Sequence, residues 1–262
     1  MAFKAKKYCY LVHIQFLGFR FSGWAKQPKV KTLHQMVDKT MFFMFGENAT
    51  KTLGCSRTDA KVSANHFVFE LFINSPILNF DTFIKEFNSN SPSDLKAIKI
   101  TKVDNSFNII QHVKIKTYLY LFAHNQKAHP FAASLVTTVP YELNVELMQK
   151  GAMLFEGTHN FVRYCTKPNK STNFIRTIES CKIEVNNTYT ANFFPKETFA
   201  LRISSKGFLR YQVRLIMGQL FKLGKGEITL ADIKESLQGS NTNYLNEIAP
   251  QSSLILESVD FE

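Results

Sequence analysis

Tyr8-Cys-Tyr-Leu-Val-His-Ile-Gln-Phe-Leu17 runs into a loop bounded by Gly18 and Gly23, passes Trp24, and is followed by Thr32-Leu-His-Gln-Met-Val-Asp-Lys-Thr-Met-Phe-Phe-Met-Phe-Gly46. The first segment mixes Tyr, Val, Ile and Phe at strand spacing. In the second, Thr32 with Gln35 three residues on forms a capping box. Leu33, Met36, Val37, Thr40, Met41 and Met44 then recur at helical spacing, a stripe that belongs to a core. Gly46 ends the helix. A strand, a loop and a helix in this order predict a fold that mixes the two element types.

The rest of the chain continues the mixture. Residues 66–73, His-Phe-Val-Phe-Glu-Leu-Phe-Ile, read as a buried strand, 80–88 as a helix, and 95–103 and 115–122 as strands. Residues 124–140 contain Pro130 and Pro140 and read as a linker. A helix over 143–155 places Leu143, Leu147, Gly151 and Leu154 along one face. Strands at 174–185 and 198–205, helices at 210–223 and 230–237, and a strand at 254–260 complete the reading. The connections are too short and hairpin-like for a series of parallel crossovers, so the class is α+β. The domains expected are 1–123, a linker 124–142, and 143–262.

The 262 residues are 45% hydrophobic and 20% charged, which excludes a disordered tail, a collagen-like chain or a disulfide knot. The net charge is +11. Residues 1–130 carry 18 basic and 8 acidic side chains, 162–225 carry 12 and 3, and the last 37 carry 1 and 7. Two basic regions and an acidic end predict a basic face for nucleic acid, an anionic membrane or acidic ligands. Cys9, Cys55, Cys165 and Cys181 show no CxxC or Cys/His spacing, so no zinc site is expected, and they fit a reducing cytosol. No signal-peptide core follows the N-terminal Met-Ala-Phe-Lys-Ala-Lys-Lys, and no apolar stretch approaches 18 residues. The expected setting is the cytoplasm, away from a membrane.

Several segments can carry chemistry. Cys55-Ser-Arg-Thr-Asp-Ala-Lys-Val-Ser-Ala64 is a polar stretch between apolar strands. Its Arg57-Thr-Asp59 sets a carboxylate beside a guanidinium that would keep it ionised, though the same residues also make an Asp-capped turn. Gly207-Phe-Leu-Arg-Tyr-Gln-Val-Arg214 puts Arg210 and Arg214 four apart, on one face if both are helical, and suited to phosphate. The chain has 25 Lys but only 7 Arg, so each Arg is a candidate for a role that needs a planar fork. Tyr118 and Tyr120 share a strand face, where one ring can stack on a base or both can pack in the core. His159, in Gly157-Thr-His-Asn-Phe161, reads as a base, a ligand or a hydrogen-bonded structural residue. Trp24 reads as core.

In order, these segments resemble the TruA-type tRNA pseudouridine synthase family. Phe16-x-Gly18 to Gly23-Trp24-x-x-Gln27 is similar to its opening signature, Ser56-Arg-Thr-Asp-Ala60 to its catalytic loop, and Phe107 through Tyr118-x-Tyr120 to the segment with its active-site tyrosine. Gly157-Thr-His-Asn-Phe161, Arg176-Thr-Ile178, Gly207 to Arg214, and Ala249-Pro250 before Leu254-x-Leu256 follow. The resemblance covers nearly the whole chain. It implies an α+β fold of two related halves forming a continuous antiparallel β-sheet flanked by helices, with a central catalytic cleft. It implies an isomerase that converts uridine to pseudouridine in the tRNA anticodon arm, at positions 38 to 40, as a homodimer and with no metal or organic cofactor. By matching position, Asp59 would be the catalytic aspartate, Tyr118 would stack on the target uracil, Arg214 would pair with Asp59, and Arg57 would support the flipped-out nucleotide. Arg210 joins Arg57 and Tyr118 as a substrate-binding candidate.

The chain departs from the family's pattern at several places. Lys61 stands where a glycine is usual, Ser63 for a histidine, Ser56 for a glycine, Ile110 for an arginine, Ala25 for a glutamine and Asn160 for an aspartate. Asp59, Tyr118 and Arg214 are kept. The changes leave two other readings open: the same reaction at another tRNA position or on another RNA such as ribosomal RNA, or a catalytically silent RNA-binding relative.

Overall fold

The computed structural model describes residues 7–239 and 243–262. The first six residues, where the sequence shows no signal-peptide pattern, lie outside the described residues. Ten strands and five α-helices occur among the described residues, so the protein is of the mixed α+β class that the sequence predicts. They form two compact units: one reaches to Lys114 and includes Leu256–Glu262, the other is Ile115–Ile255.

In the first unit, β1 (Tyr8–Phe16) lies between β3 (Ser63–Ile73) and β4 (Leu95–Val103), antiparallel to both, and β2 (Thr50–Gly54) pairs with β3. Helix α1 (Leu33–Phe45) starts at Thr32 as the capping box predicts: Thr32 Oγ1 accepts from Gln35 N, and Gln35 Oε1 accepts from Thr32 N at 3.1 Å. It buries Leu33, Met36, Val37, Thr40 and Met41, while Met44 is half-buried. Helix α2 (Phe80–Asn90) is capped by Asn79 and buries Phe83 and Phe87. Val12, Ile14, Phe67, Phe69 and Leu71 of the strands are fully buried. Each such side chain contributes about 1.5–3 kcal/mol on leaving water. Trp24 belongs to this core, with Phe67 at 4.1 Å between centroids and His34 stacked at 5.2 Å.

The second unit holds the antiparallel order β5 (Val113–Ala123), β9 (Phe199–Ser205), β8 (Ile175–Val185), β7 (Gly157–Asn160). Its central helix is α4 (Gln212–Gly224), of which every residue but Lys222 is buried. Helix α3 (Val145–Met153) approaches α4 through Gly151, whose added Cβ would sit 2.3 Å from Leu223. The face of α3 turned inward is Met148, Gly151 and Ala152, one residue off the predicted Leu147 and Leu154, which are half-buried. Helix α5 (Leu230–Ser236) also belongs to this unit, whereas β10 (Leu254–Phe261) has its first two residues here and the rest in the first unit.

Residues 124–142 read as a linker from their prolines, but they are built into the second unit. Pro130 opens a short 3-10 helix to Ser134, and β6 (Thr137–Thr138) pairs parallel to β5. Ala132 and Val136 are buried with Leu119, Leu121 and Ile255. Tyr120 Oη and Thr137 Oγ1 hydrogen-bond at 2.9 Å, and Thr137 Oγ1 and Ser253 Oγ at 2.7 Å. Proline opens a turn here by its fixed φ rather than marking loose chain.

Candidate active site

In the first unit, β2 ends at Gly54 and β3 begins at Ser63, and the eight residues between them carry Arg57 and Asp59. Their placement depends on the loop that leaves β1. Trp24 N donates to Thr58 O at 3.2 Å, Lys61 N to Phe21 O at 3.0 Å, and Gly18 N to Ser63 Oγ at 2.9 Å. A Cβ at Gly18 would lie 1.9 Å from Val62 O, and one at Gly23, where φ is +88°, would lie 2.6 Å from Thr58 O. Backbone meets backbone at both places, so only glycine fits. The two glycines and the Arg-Thr-Asp stretch are thus one physical object. Asp59 is half-buried, Arg57 exposed, and Thr58 buried with its hydroxyl lacking a hydrogen-bond partner among the described residues.

In the second unit, Tyr118 of β5 lies opposite Ile203 of β9 and is 7% exposed. Phe208 meets its ring edge-on at 5.3 Å. The loop holding Phe208 is pinned by Ser205 Oγ, which donates to Thr177 O at 2.7 Å, and by Leu209 N, which donates to Gln212 Oε1 at 2.7 Å. Arg214, in the first turn of α4, is 8% exposed. Its Nε donates to Ala249 O at 2.8 Å and its Nη2 to Gln251 Oε1 at 3.1 Å.

Arg210 does not share a helix face with Arg214, because α4 begins only at Gln212. Arg210 is exposed in the turn before it. The two guanidinium groups meet instead on Tyr211, with Cζ 5.3 Å and 4.7 Å from its ring centroid. Sequence reasoning passed over Tyr211; the signal was an aromatic beside one arginine and three residues before the other. It singled out Ala249-Pro250 as part of the closing segment but not the hold that Ala249 O and the Gln251 side chain have on Arg214.

The remaining candidates have structural partners. His159 Nε2 is 2.8 Å from Glu156 O and its ring meets Phe161 edge-on, in line with a structural histidine. Arg176 lies across from His159 in the β7–β8 pair and donates to Ile175 O. Burial pushes the Tyr120 and Tyr164 phenols up, Tyr164 to about 12, and both hydroxyls are engaged. The four cysteines are buried thiols, and burial followed by the Glu70 charge pushes Cys9 up to about 12. Among the described residues no group of three or more His, Cys, Asp or Glu is placed to hold a metal ion. No helix among them is long and apolar enough to cross a membrane.

The sequence model described as tRNA pseudouridine synthase matches residues 152–262. A tRNA pseudouridine synthase A of Clostridium botulinum (strain Eklund 17B / Type B) is 31% identical over 246 residues, which cover 94% of this chain and 96% of that protein. This chain belongs to the tRNA pseudouridine synthase A family. The enzyme of that name from Aquifex aeolicus (strain VF5) is 31% identical, covering 95% and 98% of the two chains. The tRNA pseudouridine synthase A 2 of Bacillus thuringiensis subsp. konkukian (strain 97-27) is 29% identical, covering 96% and 99%. The family is one of isomerases.

The departures expected from the resemblance have structural counterparts. At Lys61, where the resemblance leads one to expect a glycine, φ is +64°, the region glycine enters without penalty. Ser63 in place of histidine supplies the hydroxyl that accepts from Gly18 N. Ile110 is 55% exposed, its N–H donating to Asn108 Oδ1.

Proposed function

We infer that this protein isomerises uridine to pseudouridine in tRNA, at positions 38 to 40 of the anticodon arm. Asp59 is the essential carboxylate, Tyr118 stacks on the target uracil, Arg214 is the cation of the reaction site, and Arg57 and Arg210 hold the substrate strand. The protein works as a cytoplasmic homodimer. The observation that carries this reading is relatedness at 31% identity along 94% of the chain, with Asp59, Tyr118 and Arg214 all present.

The chemistry asks for what these side chains supply. The N-glycosidic bond is broken, the uracil turns, and a C–C bond forms from C5 to the ribose. Asp59 serves either as the nucleophile of a covalent route or as the base of a deprotonation route, and a cation favours its ionised form. A stacked uridine must first be flipped out, at a cost of a few kcal/mol. Stacking on one aromatic ring returns about 1–3 kcal/mol, so one tyrosine offsets most of that cost. Phosphates are met by the basic surface, which includes a hollow lined by Lys26, Lys29, Lys31 and Lys39.

A second reading moves the reaction to another tRNA position or another RNA. It is favoured by Lys61, which adds a cation two residues from Asp59, and by Ile110, which brings no guanidinium to its exposed place. Incubating the purified protein with an unmodified tRNA transcript and with ribosomal RNA fragments, then mapping pseudouridine, separates the two. Modification confined to positions 38 to 40 is the expected result. Modification elsewhere supports the second reading, and none in either RNA supports a silent relative.

A further inference from the structure

Tyr211 has a backbone conformation that its own side chain resists. Its φ is 64° and its ψ 9°, in the left-handed region. A bulky residue there is an outlier, and such strain persists where the surroundings over-determine it, often at working sites. Helix capping does not account for it. Tyr211 directly precedes α4, yet its side chain makes no capping hydrogen bond, and asparagine would serve both the φ and the cap better.

What the conformation does achieve is the position of the ring. Arg214 lies three residues along, in the first turn of α4, and its Cζ is 4.7 Å from the ring centroid. Two of its donors, Nε and Nη2, are engaged by Ala249 O and Gln251 Oε1. Beside these contacts the π-face of Tyr211 lies against the flat side of the guanidinium, attracts the cation and resists its tilting. Arg210, exposed, lies against the same ring with its Cζ at 5.3 Å.

We propose that Tyr211 is a positioning residue for the isomerisation: its ring, set by the left-handed turn before α4, orients Arg214 and couples it to the exposed Arg210 on the substrate side. The role rests on the reading of Arg214 given under Proposed function. Backbone strain at Tyr211 is the local cost of placing an aromatic ring where a capping residue would otherwise be favoured.

Tyr211→Asn and Tyr211→Phe separate this role from a merely structural one. Asparagine suits the backbone and lacks the ring, whereas phenylalanine keeps both ring and strain. If Tyr211 is only a turn residue, Tyr211→Asn is at least as stable and as active as wild type. If it positions Arg214, Tyr211→Asn keeps or raises the melting temperature. Its kcat for tritium release from tRNA carrying uridine labelled at C5 then falls about tenfold or more, with KM changed less than about threefold. Tyr211→Phe recovers most of that loss. A readout independent of turnover is the exchange of the Arg214 Nε proton by NMR, expected to be at least about tenfold faster in Tyr211→Asn than in wild type or Tyr211→Phe. Unchanged exchange in Tyr211→Asn overturns the proposal whatever the enzyme's activity, as does an unchanged kcat. Full activity in Arg214→Ala would instead overturn the role of Arg214, while the exchange measurement still decides whether Tyr211 orders it.

Discussion

Lys61 shows how much a single residue can hide from sequence reading. Its φ of +64° is invisible in the letter, although a TruA-type glycine at that place hinted at it. A left-handed non-glycine residue costs about 1–2 kcal/mol, against about 0.5–1 kcal/mol of extra unfolded-state freedom for glycine. Lys61→Gly is therefore expected to raise stability slightly, by up to about 1 kcal/mol, and to weaken tRNA binding through the lost cation. Urea denaturation and filter binding check both, and a less stable Lys61→Gly contradicts the strain argument. The His13–His66 pair is a second local device. His13 Nδ1 lies 2.7 Å from His66 Nε2, and burial first, then His66 and Lys99, push His13 down to about 4, with His66 lowered as well. The unfolded chain takes up protons below pH 6.5 that folded His13 refuses until about pH 4. The contribution of His13 to stability is thus fully present above pH 6.5 and lost as pH falls from there to about 4. His13→Gln is expected to flatten that slope in pH-dependent urea melts, and an unchanged slope would remove His13 as its source. Sequence reasoning singled out Arg57, Asp59 and Arg214 because their types announce charge. It missed Tyr211 because the sign of a backbone angle is not written in a residue's type.

Spans were the most legible feature at the scale of the element. Capping at Thr32 and the apolar stripe of α1 were readable because both are local, and the 95–103 strand matches β4 to the residue. What failed depended on partners distant in sequence. Residues 124–142 looked like a linker, yet Ala132 and Val136 are core. The helix expected from 210 begins at Gln212, because Arg210 and Tyr211 form the turn. Gly218 shows the same dependence. In a helix interior Gly→Ala ordinarily stabilises by about 1 kcal/mol. Here the new Cβ would lie 2.2 Å from Glu247 O, on the segment whose Ala249 O accepts from Arg214. Backbone cannot yield as a flexible side chain can, so Gly218→Ala is expected to destabilise by about 1–3 kcal/mol and to slow turnover as Arg214 loses its acceptor. Thermal melts and tritium release check this, and a stabilised, fully active Gly218→Ala would show that the segment moves aside freely.

The whole molecule was legible as class and family from ordered segments, each weak alone. Charge was legible as well, because a net of +11 needs no fold to be counted. Phosphate contacts release counterions, so tRNA affinity is expected to fall steeply with salt, with a log–log slope of about −0.7 to −0.9 per contact. Lys170→Glu with Lys182→Glu is expected to shallow that slope, and substitutions in the acidic last 37 residues to leave it unchanged. An affinity independent of salt would remove the basic surface from the account. The target uridine was not legible, since it depends on how RNA shape meets side chains such as Lys61 and Ile110. The central claim is that Asp59 carries the isomerisation, and the most direct test is tritium release from C5-labelled tRNA by wild type and by Asp59→Asn. The substitution is nearly isosteric and removes only the negative charge. The account predicts release by wild type and none above background by Asp59→Asn, with its fold and tRNA binding intact. Release by Asp59→Asn at a rate comparable to wild type would contradict it.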